Sequence, residues 1–375
     1  MDISQLVTVS QFYGKQKEYT LGGGGNTSYK NDHHLYVKAS GQPLATITEN
    51  GFAVLDRALL KKMRSKKYSS DAQIREQEVK NDLLACRVDP SKDLRPSVET
   101  LLHDSIEYSF VVHTHPHLLN GLLCSDEAEH QTIKLFGNKA LFVPYTDPGI
   151  VLSKIVSKYL NDYRKIHQVE PHYIFLQNHG VFVAANSVDE IMSLYLNIES
   201  RLLKVIPEKI SITAKGLPKH TERDIHILKD YLPGNKYLAY RYNSLVQSFT
   251  NDLPALKNIN KPFIPDQIVY CKAYPLTIQK DGKLPLKTGQ VDRFYKDYVQ
   301  YHGYDPKVIL IENGPVIGME ENKKAAELVL DIFEDAMKIS FYSRYFGGPH
   351  FMTPDQIEFI ENWEAENYRR NISKK

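Results

Sequence analysis

The run Phe110-Val-Val-His-Thr-His-Pro116 sets apolar residues, two histidines and a strand stop side by side. Alternate side chains of a strand share a face, so His113 and His115 point the same way. Upstream, Pro96 precedes Ser97, a good helix N-cap, and apolar residues follow at Val98, Leu101, Leu102 and Ile106. That helix carries Glu99 in its first turn, and a helix running out with a strand running back brings Glu99 beside the end of the strand. Downstream, a strand at Tyr173 to Gln177, a turn at Asn178-His179-Gly180 and a strand at Val181 to Ala185 lead to Ser187 and Glu190, a capping box opening a helix to about Val205. His179 therefore stands in a turn at a strand end, where a rigid scaffold presents functional side chains. Three imidazoles and a carboxylate suit zinc best, with manganese, iron or cobalt as alternatives, whereas calcium and magnesium want oxygen ligands. His103, one turn after Glu99, and His117, just past the strand, compete for the same role.

The chain has 375 residues, 42% hydrophobic and 25% charged, which predicts two domains with real cores. A net charge of +2 gives no reason to expect nucleic acid or a membrane surface as partner. No apolar run is long enough to span a bilayer, and Met1-Asp2-Ile3-Ser4-Gln5 lacks a signal-peptide plan, so the cytoplasm is the expected compartment. Cys86, Cys124 and Cys271 are odd in number and far apart, which argues for buried apolar residues in a reducing compartment rather than disulfides or a thiolate zinc site.

Leu21 and the glycines Gly22 to Gly25 lead into a hairpin that turns at Asn31-Asp32 and continues as the strand Leu35 to Lys38. This loop runs into a strand and lacks a Gly-Lys-Ser/Thr or Gly-x-Gly-x-x-Gly pattern, unlike a nucleotide-binding loop. Apolar spacing predicts helices over 53–66, 74–86 and from Ser153 to about His167. The polar stretch from Pro207 to Asp224 reads as a linker, which divides the chain into 1–214 and 215–375. At one constant offset Asp162, Tyr163, His167, Pro171 and Asn178 pair with Asp297, Tyr298, His302, Pro306 and Asn313, followed by a strand at Val308 to Ile311 and a helix at Asn322 to Met337. This faint copy of a supersecondary unit lacks a counterpart of His179, so the chemistry is expected in the first half alone. Thr353-Pro354-Asp355-Gln356 opens a final helix whose apolar face is Ile357, Ile360 and Trp363.

Gly23-Gly-Gly-Asn-Thr-Ser28, Lys38-Ala-Ser-Gly41, Arg95-Pro-Ser-Val-Glu99, His113-Thr-His-Pro116 and Gln177-Asn-His-Gly180 together resemble the class II aldolase and adducin family, in order and spacing, over roughly residues 10–205. Ile268 to Leu276, Tyr304 to Val308, Phe346 to Pro349 and Phe359 to Glu364 resemble the stretch after the aldolase portion of bifunctional rhamnulose-phosphate aldolase and alcohol dehydrogenase proteins. The resemblance implies an α/β fold, three-layer α/β/α with a mainly antiparallel central sheet, plus a smaller C-terminal α/β domain. It implies zinc held by Glu99, His113, His115 and His179, with Glu99 also acting as base once displaced by substrate, and Tyr145 as the counterpart of the family's proton-donating tyrosine. Asn26, Ser40, Gly41 and Ser97 supply short donors and open backbone N–H groups for a phosphate; a flexible hairpin loop is the other reading of Gly22 to Gly25. Some relatives carry a second serine where this chain has Val98, which removes one hydroxyl from that subsite.

The implied reaction is cleavage of a ketose 1-phosphate, such as rhamnulose or fuculose 1-phosphate, to dihydroxyacetone phosphate and an aldehyde, by a lyase that forms homo-oligomers such as tetramers. A sugar-phosphate 4-epimerase or dehydratase of the same fold, and a non-catalytic adducin-like binding module, are the alternatives. The sequence contains no dinucleotide fingerprint before Lys375, so no NAD is expected.

Overall fold

In the computed structural model, which describes residues 3–232, 234, 236–251, 253–280 and 286–363, the strands gather into two sheets. The first holds β1 (Asn26–Lys30), β2 (His34–Lys38), β3 (Phe52–Asp56), β4 (Phe110–Thr114), β5 (Ala140–Val143), β6 (Tyr173–Leu176) and β7 (Gly180–Ala185). Its order is β3-β2-β1-β4-β7-β6-β5, antiparallel except for the β5–β6 pair. Eight helices accompany it: α1 (Ser4–Gly14), α2 (Arg57–Ser65), α3 (Ala72–Ala85), α4 (Thr100–Ser105), α5 (His117–Leu123), α6 (Ala128–Phe136), α7 (Ile150–His167) and α8 (Val188–Leu203).

The central strands are buried on both faces, which is why β7 and the first three residues of β4 read as apolar runs. Phe110 and Val112 face a core with Leu6 and Val9 of α1, Leu119 and Leu122 of α5 and Ile198 of α8. Val111 faces the opposite core with Leu102 of α4 and Leu152, Val156 and Leu160 of α7. The result is the α/β/α layering expected. His113, two residues after Val111, falls on the α4 face.

Two local expectations are corrected. Residues 53–66 are not one helix: Phe52–Asp56 pairs with β2, and Asp56 then caps α2 by accepting from Ala58 and Leu59 N–H. Apolar spacing overlooked this because Ala53 and Leu55 serve the sheet while Leu60 and Met63 serve the helix. Likewise the helix after Pro96 begins at Thr100, and Ser97 caps a preceding turn, its Oγ accepting from Glu99 N–H and its carbonyl from Thr100 N–H. Glu99 sits at the mouth of α4 rather than inside its first turn.

The second half continues through α9 (Thr221–Tyr231), β8 (Tyr237–Arg241), α10 (Ser244–Thr250), α11 (Leu253–Leu256), α12 (Pro265–Cys271), β9 (Leu276–Ile278), α13 (Thr288–His302), β10 (Val308–Ile311), β11 (Val316–Glu320), α14 (Lys323–Ser343) and α15 (Pro354–Asn362). The sheet β8-β11-β10-β9 has the strand order and directions of β4-β7-β6-β5, with its parallel pair at the same place. Asn178 and Asn313 both take left-handed backbone, with φ of 53° and 54°, and Gln168 and Gly303 end the matching helices left-handed as well. By position in the strand, Tyr240 and Tyr242 stand where β4 and its exit carry His113 and His115. α15 has the complete Thr353–Gln356 capping box. Glu364, the last residue of one C-terminal motif, lies outside the described residues.

The two halves meet where α14 packs across α5. A Cβ at Gly121 of α5 would fall 2.3 Å from Tyr342 Cβ, so only glycine permits this approach. Cys124, Phe263, Ile264, Ala336 and Ile339 fill the junction. Cys86, Cys124 and Cys271 are all buried and free. Among the described residues no helix is long and apolar enough to cross a membrane.

Candidate metal centre

β4 enters the site between β1 and β7, with His113 paired to Asn26 on one side and Phe182 on the other. His113 Nδ1 lies 2.9 Å from the Val181 carbonyl oxygen, so the nitrogen that donates there carries the proton and Nε2 is left with its lone pair. His115, beyond the last paired residue of the strand, has its Nδ1 2.7 Å from Asp266 Oδ2 and is fixed in the same tautomer. The two Nε2 atoms then face each other at 2.9 Å. Bare lone pairs at that distance repel unless a cation lies between them. His179, in the β6–β7 turn, completes a group whose ligand atoms all lie within 4.8 Å of one another.

Glu99 approaches from the α4 side, its Oε1 3.3 Å from His113 Nε2 and 4.0 Å from His179 Nε2. Donors bound to one tetrahedral zinc at about 2.0–2.1 Å are about 3.3 Å apart, and the 2.9, 3.3 and 4.0 Å separations here lie on either side of that spacing. His179 is 8% exposed, and burial, reinforced by His113 and His115, lowers its pKa to about 3. It is therefore neutral at ordinary pH, with a lone pair free for a cation.

The expected anion residues line the same cavity: Asn26, Ser40, Gly41 and Ser97 stand with Glu99 and the three histidines. Asn26 Nδ2 donates to Ser97 Oγ at 2.7 Å and to Glu99 Oε2 at 3.0 Å, which ties the carboxylate to the polar end of the cavity. Asn26 Oδ1 is buried and finds no partner among the described residues. Lys38, 6% exposed, adds a cation there that sequence reasoning did not single out beyond its motif.

The competing histidines fall outside the group. His103 is fully buried with Nδ1 against Ser28 Oγ at 2.8 Å, and His117 Nδ1 pairs with Asp335 at 2.8 Å. Tyr145 is not among the residues lining the cavity. Its ring packs against the second-half core, and burial and then the Asp147 carboxylate push its phenol upward.

The candidate ligands all come from the first half, but the cavity wall does not: Pro265, Asp266 and Trp363 line it as well. Pro265-Asp266-Gln267 repeats the helix-opening tripeptide of Pro354-Asp355-Gln356, so the sequence signals that α12 starts there but not where it docks.

Residues 4–203 match the family model described as the class II aldolase and adducin N-terminal domain. The chain belongs to the class II aldolase and adducin family. Class II aldolases are metal-dependent, and the histidine cluster of this family member is compatible with a metal. The uncharacterized oxidoreductase YuxG of Bacillus subtilis (strain 168) is 26% identical over 424 aligned residues, covering 99% of this chain and 58% of that protein. The chain thus spans a little under three fifths of that relative's length. Among solved structures, the N-terminal class II aldolase domain of a conserved protein from Thermoplasma acidophilum shares 28% identity, with a TM-score of 0.46 over 54% of this chain and 93% of its own. An L-fuculose 1-phosphate aldolase from Thermus thermophilus shares 13%, with a TM-score of 0.35 over 54% and 91%.

Proposed function

We propose that the protein is a zinc-dependent aldolase cleaving a ketose 1-phosphate to dihydroxyacetone phosphate and an aldehyde. The observation that carries the reading is the pair of Nε2 atoms facing each other at 2.9 Å, beside a carboxylate and a cavity end rich in donors. Glu99, His113, His115 and His179 would hold the ion, which supplies a Lewis acid at the substrate's C2 oxygen. Lys38, Ser40, Ser97 and Gly41 would hold the phosphate, fixing the chain of the sugar along the cavity.

Cleavage breaks the C3–C4 bond. The electron pair stays on C3 and delocalises toward the C2 oxygen, while the C4 hydroxyl gives its proton to the Glu99 carboxylate and becomes the aldehyde; that is the proton Glu99 carries to C3. Glu99 then delivers a proton to C3, and in the condensing direction removes it. Asn26 Nδ2, 3.0 Å from Glu99 Oε2, holds the carboxylate in place for that transfer. The family's tyrosine role falls on Tyr145 by sequence, but its packing against the second core leaves Glu99 alone in the proton path proposed here.

The test is a panel of ketose 1-phosphates assayed for release of dihydroxyacetone phosphate before and after chelation and zinc return. Zinc-restored release of two products is expected. Conversion to a single isomeric or dehydrated product would replace cleavage by epimerisation or dehydration, and no metal-dependent turnover across the panel would overturn the reading. The protein is also proposed to act as a homo-oligomer, which light scattering checks.

A further inference from the structure

We propose that Asp266 is a positioning residue of the metal centre, so that the C-terminal half sets the donor geometry of a site whose ligands all lie in the N-terminal half. The inference rests on reading the cavity as a metal site. His113 needs no help from outside the sheet, because the neighbouring strand offers the Val181 carbonyl to its Nδ1. His115 lies past the end of β4 and past the last residue paired with β7. Its Nδ1 is met instead by Asp266 Oδ2 at 2.7 Å, from a carboxylate only 7% exposed. Accepting that proton selects the tautomer with Nε2 bare, orients the ring and raises the basicity of Nε2.

The glycine loop is shaped for this contact. A Cβ on Gly24 would lie 2.7 Å from Asp266 Oδ2 and 3.5 Å from His115 Nδ1, so a side chain there would displace the carboxylate. One turn further along α12, Tyr270 presents its hydroxyl to Gly23 N–H at 3.0 Å. Asp266 and Tyr270 therefore place one face of α12 on both the loop and the ligand. The turn bearing His179 is held from the same half: Asn178 Nδ2 donates to the carbonyls of Phe263 at 2.9 Å and His350 at 2.8 Å. A run of glycines that reads as a phosphate cradle or a flexible loop is, at Gly24, clearance for a carboxylate arriving from the other half of the chain.

The experiment measures zinc affinity of the full chain by competition with a chromophoric chelator, for the parent protein, D266A, D266N and G24A, with the unfolding midpoint of each metal-free protein alongside. D266A is expected to bind zinc about 10- to 100-fold more weakly. D266N, which keeps an acceptor oxygen, should lose less, and G24A, which keeps the carboxylate but pushes it away, should follow D266A. With cobalt in place of zinc, the visible band of D266A should shift, a change that loss of a mere fastening between halves would not produce. Affinity of D266A within twofold of the parent overturns the inference and leaves the metal site standing. Should D266A fail to fold, parent-like affinity in both D266N and G24A overturns it equally. A parent protein that binds zinc no better than H113A overturns the metal reading itself, and this inference with it.

Discussion

At the scale of single residues, Glu99 and His103 sit one helical turn apart and have opposite fates. Glu99 is held at the mouth of α4 by Asn26 and reaches the histidine cluster, while His103 is turned into the sheet against Ser28 and Phe182. Sequence spacing alone leaves both as ligand candidates, because helical periodicity places them on one face and says nothing about which end of the helix meets the cavity. Glu99→Gln preserves the shape and the Asn26 contact but cannot move a proton. Turnover should fall by about 10²- to 10⁴-fold, with the unfolding midpoint nearly unchanged, and retained turnover would remove Glu99 from the proton path. His103→Ala should leave the metal content near normal.

His103 has a second, pH-dependent signature. Burial lowers its pKa to about 3. Between pH 6.5 and 3 the unfolded chain therefore takes up a proton that the folded chain refuses, and stability falls as pH falls through that window. The slope is about 1.4 kcal/mol per pH unit for this residue. Denaturant midpoints of the metal-free protein at several pH values, compared with those of His103→Gln, should differ in slope by that amount below pH 6.5 and converge in slope above it.

At the scale of elements, the parts of the site that were legible are those set by local rules. The alternation of β4, the stop at Pro116, the Asn178-His179-Gly180 turn and the Thr353 capping box each follow from neighbours within a few residues, and each appears in place. Phe52–Asp56 was not legible, since its strand state depends on β2, which it meets only after the chain has turned. The turn holding His179 shows how far an element relies on distant partners. Asn178 takes φ of 53° and its amide serves two carbonyls from the second half. Asn178→Ala both strains the left-handed backbone and takes the amide donor from those carbonyls, at a cost of about 2–4 kcal/mol. Asn178→Gly keeps the backbone conformation and should lose only the hydrogen-bond part. Equal midpoints for the two variants in chemical denaturation would mean the backbone conformation contributes nothing.

At the scale of the whole molecule, the sequence carries the copy of the supersecondary unit but not its docking. The matching strand order of the two sheets follows from patterns each half contains by itself. Where α12 and α14 come to rest follows from shape at a few contact points, and Gly121 is the tightest of them. Its missing side chain lets α14 lie against α5, and α14 in turn packs on α12, which carries Asp266. Gly121→Val would overfill that crossing with no flexible neighbour to yield, because the atoms it meets are the Cβ and backbone of Tyr342. The expected cost is about 1–3 kcal/mol or more of stability. Because the displaced α14 moves the support of α12, zinc affinity should fall in the same variant although no ligand or neighbour of a ligand has been changed. A Gly121→Val protein that unfolds earlier yet binds zinc with the parent's affinity would show that α12 holds its place independently of α14, and would leave the coupling to the contacts α12 and its flanks make directly with the glycine loop, His115 and the Asn178 turn.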